Sequence, residues 1–337
     1  MQKFLVIQTA FIGDVVLGTA LVEKLTKHYP HARIDFLVRK GNESLLENNP
    51  HLSEVLTWDK KKRKLRNLLV LLLHIRKTRY DKVITIQRFF STGLLTAFSG
   101  ANETIGFDKN PLSFLFSKKV KHIISKENGI KHEVERNNDL IESFTDGSVI
   151  RPRLYPSEKD HAAISAWTQK KYVTISPGSI WFTKRYPFEK WADLIRNFPP
   201  EYAVYLVGGK ENIAECEYIK SISNNPDVDI LAGKLSFLQS AALMETASMN
   251  YVNDSGPLHF ASAVNAPVTA VYCSTAPAYG FTPLSDKSYI VETPEKLNCR
   301  PCGIHGHKTC PEQHFKCAKT IQTNHLLEAF QKAMMNV

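Results

Sequence analysis

Short apolar runs of strand length alternate with longer helical patterns along this chain, and at Tyr172 the alternation begins again. That rhythm limits the fold more than any single motif does. Strands alternating with helices bury their apolar faces by forming a parallel sheet between helix layers. In the first half, strands are expected near residues 4–8, 33–38, 54–58, 82–86 and 103–106, with helices near 14–28, 64–78, 91–98 and 132–143. The second half repeats the pattern with strands at 172–176, 203–207, 229–231, 251–253 and 268–272. Helices near 188–197, 211–223 and 236–247 supply its crossovers. At 337 residues the chain is long for one core and suits two. The junction is expected within residues 145–167, where polar residues cluster with Pro152 and Pro156. The fold expected is α/β, two Rossmann-like units at residues 1–155 and 156–337 facing one interdomain cleft, with ligands beyond the carboxyl ends of the strands.

Hydrophobic residues at 43% and charged residues at 23% are ordinary for a soluble globular protein. The net charge of +10 is less neutral than usual. It is concentrated at Lys60-Lys61-Lys62-Arg63-Lys64 with Arg66, and again at Arg76, Lys77 and Arg79. The apolar run between them, residues 68–73, is far too short to span a bilayer. It reads either as a helix with one buried face and a solvated basic end, or as a surface that meets anionic lipid or a phosphorylated acceptor. No aromatic-interleaved basic pattern supports nucleic acid as a partner. Lys3 precedes an apolar stretch, but Asp14 interrupts it and no processing site follows. Residues 4–7 therefore read as a buried strand, and the expectation is a cytoplasmic protein whose six cysteines are reduced.

Three segments carry chemistry. Tyr251-Val252-Asn253-Asp254-Ser255-Gly256-Pro257-Leu258-His259 ends an apolar run and opens a helix. A helix start has unpaired N–H groups and partial positive charge, which suits a phosphate. Gly256 permits close backbone approach, and the N–H groups of Gly256, Leu258 and His259 are expected to face the phosphates. Asp254 is itself anionic, so it is expected to cap the helix or to bind sugar hydroxyls. Pro257 fits the first turn, where a missing N–H costs nothing. Asp14 follows the first strand; it reads as a general base for a sugar hydroxyl or simply as a helix cap. Lys184 precedes a helix, where a fixed cation would favour charge building on leaving phosphates.

These segments also resemble a known family. Ile12-Gly13-Asp14-Val15-Val16-Leu17-Gly18-Thr19 is similar to the Gly-Asp-Val/Ile-Val/Leu-Leu motif of the bacterial heptosyltransferases, glycosyltransferase family 9. Ser176-Pro177-Gly178-Ser179 followed by Lys184-Arg185-Tyr186-Pro187 and Trp191 resembles its Pro-Gly…Lys-Arg-Trp-Pro block. The stretch from Asn253 to Ala263, followed by Ala266-Pro267-Val268-Thr269-Ala270-Val271-Tyr272, resembles a third motif, in the form of the second heptosyltransferases. The resemblance implies a GT-B fold and a metal-independent, inverting transfer of heptose from an ADP-activated donor to the inner core of lipopolysaccharide. It implies an acceptor-binding first unit and a nucleotide-sugar-binding second unit, with peripheral contact at the cytoplasmic face of the inner membrane. It places the catalytic aspartate at Asp14 and a donor-contacting lysine at Lys184. Ser179, Thr183 and Arg185 fall in its donor stretch, and Asp254, Ser255, Gly256, Leu258 and His259 in its diphosphate and sugar stretch. Glu211 matches a glutamate that holds the ribose, and equally fits an acid in a helix first turn. Leu235 matches the position that packs against adenine, and equally fits the core. No cofactor is implied. A non-catalytic nucleotide-sugar or nucleic-acid binding protein is the alternative, as is a family 9 transferase using another sugar.

One constellation stands apart: Cys299-x2-Cys302-x7-Cys310-x6-Cys317, with His305, His307 and His314 interspersed. A structural zinc site or an iron–sulfur cluster fits four close thiols. The second pair is spaced more widely than in a zinc ribbon, which favours unliganded thiols in a surface loop.

Overall fold

The structure, a computed structural model, describes residues 1–126 and 129–335. The chain divides into two compact units, Met1–Tyr155 and Pro156–Val337. Among the described residues, each unit is built on a six-stranded parallel sheet.

In the first unit the strands are β1 (Lys3–Ile7), β2 (Arg33–Arg39), β3 (Glu54–Trp58), β4 (Lys82–Thr85), β5 (Glu103–Phe107) and β6 (Lys118–Val120), in the order β3-β2-β1-β4-β5-β6. The order reverses between β1 and β4, whose register runs from Phe4 beside Lys82 to Ile7 beside Thr85. In open α/β sheets such a switch point is where the strand ends part and a ligand fits. Leu5, Ile7, Leu37, Leu56 and Val83 pack under the helix Lys64–Thr78 through its Leu68, Leu71 and Ile75.

The second unit repeats the plan with β7 (Tyr172–Ser176), β8 (Ala203–Leu206), β9 (Val228–Ile230), β10 (Met249–Asn253), β11 (Val268–Tyr272) and β12 (Ser288–Glu292), in the order β9-β8-β7-β10-β11-β12. Its switch point lies between β7 and β10. Every residue of β7, β10 and β11 is buried. That is why these strands are near-continuous apolar runs rather than alternating ones: helices cover both faces. One face packs through Val173, Ile175, Tyr186, Trp191 and Tyr251, the other through Tyr172, Tyr205, Val207 and Leu231.

The strands expected from sequence are all present within a residue or two. The helix expected over 132–143 stops at Asp139 and resumes as a short turn, Glu142–Phe144, and the one expected over 211–223 begins at Ile213. Two of the four edge strands, β6 and β12, and the helices Glu158–Ile164 and Thr323–Met335 had no expected counterpart. No helix among the described residues is long and apolar enough to cross a membrane.

Candidate functional site

At the first switch point β1 runs into the loop 8–11, and the helix Ile12–His28 then opens. Other strand ends hold this loop. Thr9 donates from its N–H (3.0 Å) and its hydroxyl (2.6 Å) to Oε1 of Gln87, just beyond β4. Asn42, beyond β2, donates to the carbonyl of Ala10 at 3.1 Å. Lys60, beyond β3, donates to the carbonyl of Thr9 at 2.7 Å and lies 4.9 Å from the Trp58 ring centre. Burial, and then Arg39 and Lys64, lower the Lys60 ammonium to about 8.

Asp14 follows in the first helical turn. Its carboxylate accepts from the N–H of Phe11 at 3.2 Å, while Phe11 itself occupies the cap position. Asp14 is thus a first-turn acid, not the cap residue. Nearby, the helix Glu133–Asp139 contributes a part-buried pair, Arg136 Nε to Glu133 Oε2 at 2.8 Å. Burial raises the Glu133 carboxyl; Arg136 opposes that shift and the charge of Asp14 adds to it. The base candidate therefore stands beside a second carboxylate and an arginine, none of which the sequence motif reveals.

The second switch point assembles the other candidates. Asn253, the last residue of β10, donates to the carbonyl of Pro177 at 2.7 Å and accepts from the N–H of Tyr186 at 3.0 Å. Its side chain ties the loop after β7 to the turn Phe182–Lys184. Lys184 Nζ then lies 2.7 Å from Asp254 Oδ2, with the two side chains 14% and 9% exposed. The hydroxyl of Thr275, beyond β11, donates to the same carboxylate oxygen at 2.7 Å. Next to this pair the helix Gly256–Ala263 begins, with Pro257 in its first turn as expected.

Several expectations for individual residues need correction. Asp254 does not cap the helix, because its carboxylate is taken by Lys184 and Thr275; Ser255 occupies the cap position, without a side-chain cap bond. Leu258 is fully buried and its N–H donates to the carbonyl of Ser255 at 3.1 Å, so that N–H does not face a phosphate. His259 is buried in the same helix, its ring 6.5 Å from that of Phe281. Thr183 is 1% exposed, and its hydroxyl accepts from the N–H of His307 (2.7 Å) and from Ser274 (3.0 Å). Its hydroxyl is thus part of the framework around Lys184. Arg185 donates to the carbonyl of Ser179 at 2.7 Å and pairs with Glu215. Lys184, Ser255 and Gly256 are partly exposed, and Glu211 is exposed, with its carboxylate folded back over Gly209. Leu235 is half-buried and packs on the core beside Tyr205.

The cysteine-rich segment braces this site. The N–H of Cys302 donates to Ser274 O at 2.8 Å, and Arg300 donates to the carbonyls of Cys273 (2.8 Å) and Thr275 (2.9 Å). Gly306, at φ +75°, is packed so closely that a Cβ there would meet Thr183 Oγ1 at 2.9 Å and Lys184 Cγ at 3.1 Å. Its cysteines are free. Burial, with the other three thiols nearby, pushes the Cys317 thiol up to about 12. Among the described residues no group of three or more His, Cys, Asp or Glu side chains is placed to hold a metal ion, so neither the zinc nor the iron–sulfur reading gains a ligand set.

A model of glycosyltransferase family 9 (heptosyltransferase) matches residues 69–316, well over half of the 337 residues. This chain belongs to glycosyltransferase family 9. The matched span takes in the Lys184 and Asp254 segments and leaves Asp14 outside. Lipopolysaccharide heptosyltransferase 3 of Escherichia coli is 27% identical over 283 residues, 79% of this chain and 82% of the relative. Among solved structures, E. coli ADP-heptose lipopolysaccharide heptosyltransferase II matches with a TM-score of 0.81 at 22% identity over 99% of both chains. The E. coli heptosyltransferase WaaC, solved with ADP, matches at 0.72 and 16% identity over 99% of this chain and 98% of the other. The family 9 resemblance and the expected GT-B fold are thereby borne out. As a family 9 protein, the chain keeps its three motifs at strand ends, where the switch points put them.

Proposed function

We propose that this family 9 glycosyltransferase moves heptose from an ADP-activated donor to the inner core of lipopolysaccharide, with inversion at the transferred carbon. The observation that carries the reading is the Lys184–Asp254 pair, 2.7 Å apart beside the start of the helix Gly256–Ala263. A half-buried cation next to a helix N-terminus is a site for a diphosphate, and it strengthens as charge builds on the leaving group. The likeness to a WaaC structure solved with ADP supports the donor, and the relatives' names support the acceptor.

In this reading the second unit binds the nucleotide sugar and the first binds the acceptor. Glu211 accepts the ribose hydroxyls, and Leu235 lies against the adenine. Asp14 takes the proton of the acceptor hydroxyl as its oxygen bonds to the sugar carbon. The bond from that carbon to the phosphate oxygen breaks on the opposite face, and ADP leaves with the electron pair. Lys184, the N–H of Gly256 and the helix dipole take up its charge. Asp254, held by Thr275, is left to orient the lysine and to accept a sugar hydroxyl. The acceptor is lipid-linked, so the enzyme works at the cytoplasmic face of the inner membrane.

The test is ADP release. The protein is mixed with ADP-heptose and a heptose-deficient core acceptor, and free ADP is measured with and without acceptor. Acceptor-dependent ADP release with a core fragment gaining one heptose is the expected result. Tight ADP-heptose binding with no ADP formed would instead mark a non-catalytic binder, and transfer from a different ADP-sugar alone would replace the donor.

A further inference from the structure

The helix Lys64–Thr78 is apolar on two sides. Leu68, Leu71 and Ile75 face the core with Leu56, Trp58 and Tyr80. Leu65, Leu69, Val70 and Leu73 face outward and are 78%, 57%, 59% and 59% exposed. At about 100° per residue, Leu65, Leu69 and Leu73 fall in one stripe along successive turns. Arg66, Arg76 and Lys77, all exposed, border that stripe. Arg76 donates to the carbonyl of Phe98 at 3.0 Å, which brings the 48% exposed Phe98 alongside.

Folding alone does not call for this charge pattern. A helix N-terminus favours Asp or Glu, yet the first turn here has no acid and carries Lys64 and Arg66. No Asp or Glu occurs between residues 60 and 79. The ion pairs nearby join Lys40 to Asp59 and His74 to Glu54, and use none of Lys61, Lys62, Arg63, Lys64 or Arg66. Lys60 is different, because it is turned inward onto Thr9 and Trp58.

We propose that the outer face of this helix seats in the headgroup layer of an anionic bilayer. Leu65, Leu69, Val70 and Leu73 enter the acyl boundary, and the cations of residues 61–66 with Arg76 and Lys77 meet lipid phosphates. A helix with an apolar stripe edged by Lys and Arg has this interfacial character, the long cationic side chains reaching back to the headgroups. A second copy of the chain is a poorer occupant, since a two-fold contact would set these cations against themselves. The inference rests on the reading that the acceptor is lipid-borne.

Flotation of the purified protein with vesicles tests it. Vesicles of phosphatidylethanolamine with phosphatidylglycerol are compared with phosphatidylcholine alone, at low and high salt. Wild type should float with the anionic vesicles, less so at high salt. Leu69→Glu/Leu73→Glu should weaken binding by about tenfold or more without lowering the melting temperature, because both positions are exposed. Lys61→Gln/Lys62→Gln/Arg66→Gln should weaken binding to anionic vesicles selectively. Flotation needs neither donor nor acceptor. A protein that floats with anionic vesicles but releases no ADP would therefore refute the transfer reading and support the surface. Equal flotation of wild type and the double leucine variant would overturn the proposal. So would a dimer that this variant splits while flotation is unchanged.

Discussion

The ammonium of Lys184 and the carboxylate of Asp254 lie 2.7 Å apart, and Thr275 fixes the carboxylate from behind. The cation is therefore positioned before any donor arrives, and little reorganisation is left for the chemical step. On the proposed mechanism Lys184→Ala removes the charge and leaves Asp254 facing the diphosphate unopposed. One electrostatic contact of this kind is worth about 3 kcal/mol in the transition state, roughly a hundredfold in kcat. We expect kcat to fall more than ADP-heptose affinity. Steady-state kinetics beside calorimetric donor binding separates this from uniform binding, which would raise KM alone.

Gly306 offers a test of the brace behind Lys184. Gly306→Ala places a Cβ against Thr183 and Lys184 at φ +75°, whereas Gly303→Ala meets the same backbone strain at φ +74° with nothing within 4 Å. Left-handed strain costs about 1–2 kcal/mol at either position. Gly306→Ala should lose more stability than Gly303→Ala in denaturant melts, and only Gly306→Ala should also lose kcat. Equal kcat in the two variants would detach the cysteine-rich loop from the Lys184 turn.

The buried strands were legible because β7, β10 and β11 are covered on both faces and so read as unbroken apolar runs. The edge strands β6 and β12 were not. Lys118–Val120 has three residues, two of them lysine, and Ser288–Glu292 is mostly part-exposed, so neither shows a strand period. The positions of Asp14, Lys184 and Asp254 at strand ends were visible in their motifs. Which of their neighbours hold them was not, because Gln87, Asn253 and Thr275 act through contacts distant in sequence. The partners of Thr183 were hidden for the same reason. Its neighbour in the motif is Lys184, but its hydroxyl is spent on His307 and Ser274.

Lys60 should be the most readily acylated lysine in this basic stretch. Burial first, then Arg39 and Lys64, depress its ammonium from 10.5 to about 8. The charged form is the disfavoured one in the folded state. The resulting penalty on stability is present below about pH 8 and is relieved as pH rises from there toward 10.5. Competitive acylation followed by peptide mass spectrometry should give Lys60 a labelling midpoint near pH 8. A midpoint near the ordinary 10.5 would mean that Lys60 is solvated and free of Thr9.

On the proposed mechanism transfer depends on Asp14, whose carboxylate is set in the first helical turn by the N–H of Phe11. Asp14→Asn keeps the size and hydrogen-bonding shape of the side chain and removes its ability to take a proton. Loss of a general base typically slows the step about 100- to 10,000-fold. The decisive measurement is single-turnover heptose transfer by Asp14→Asn under saturating donor and acceptor, with ADP-heptose affinity determined on the same preparation. A rate down by that factor with unchanged donor affinity is the result predicted. A near-normal rate would leave Asp14 as a helix-start residue and require another base.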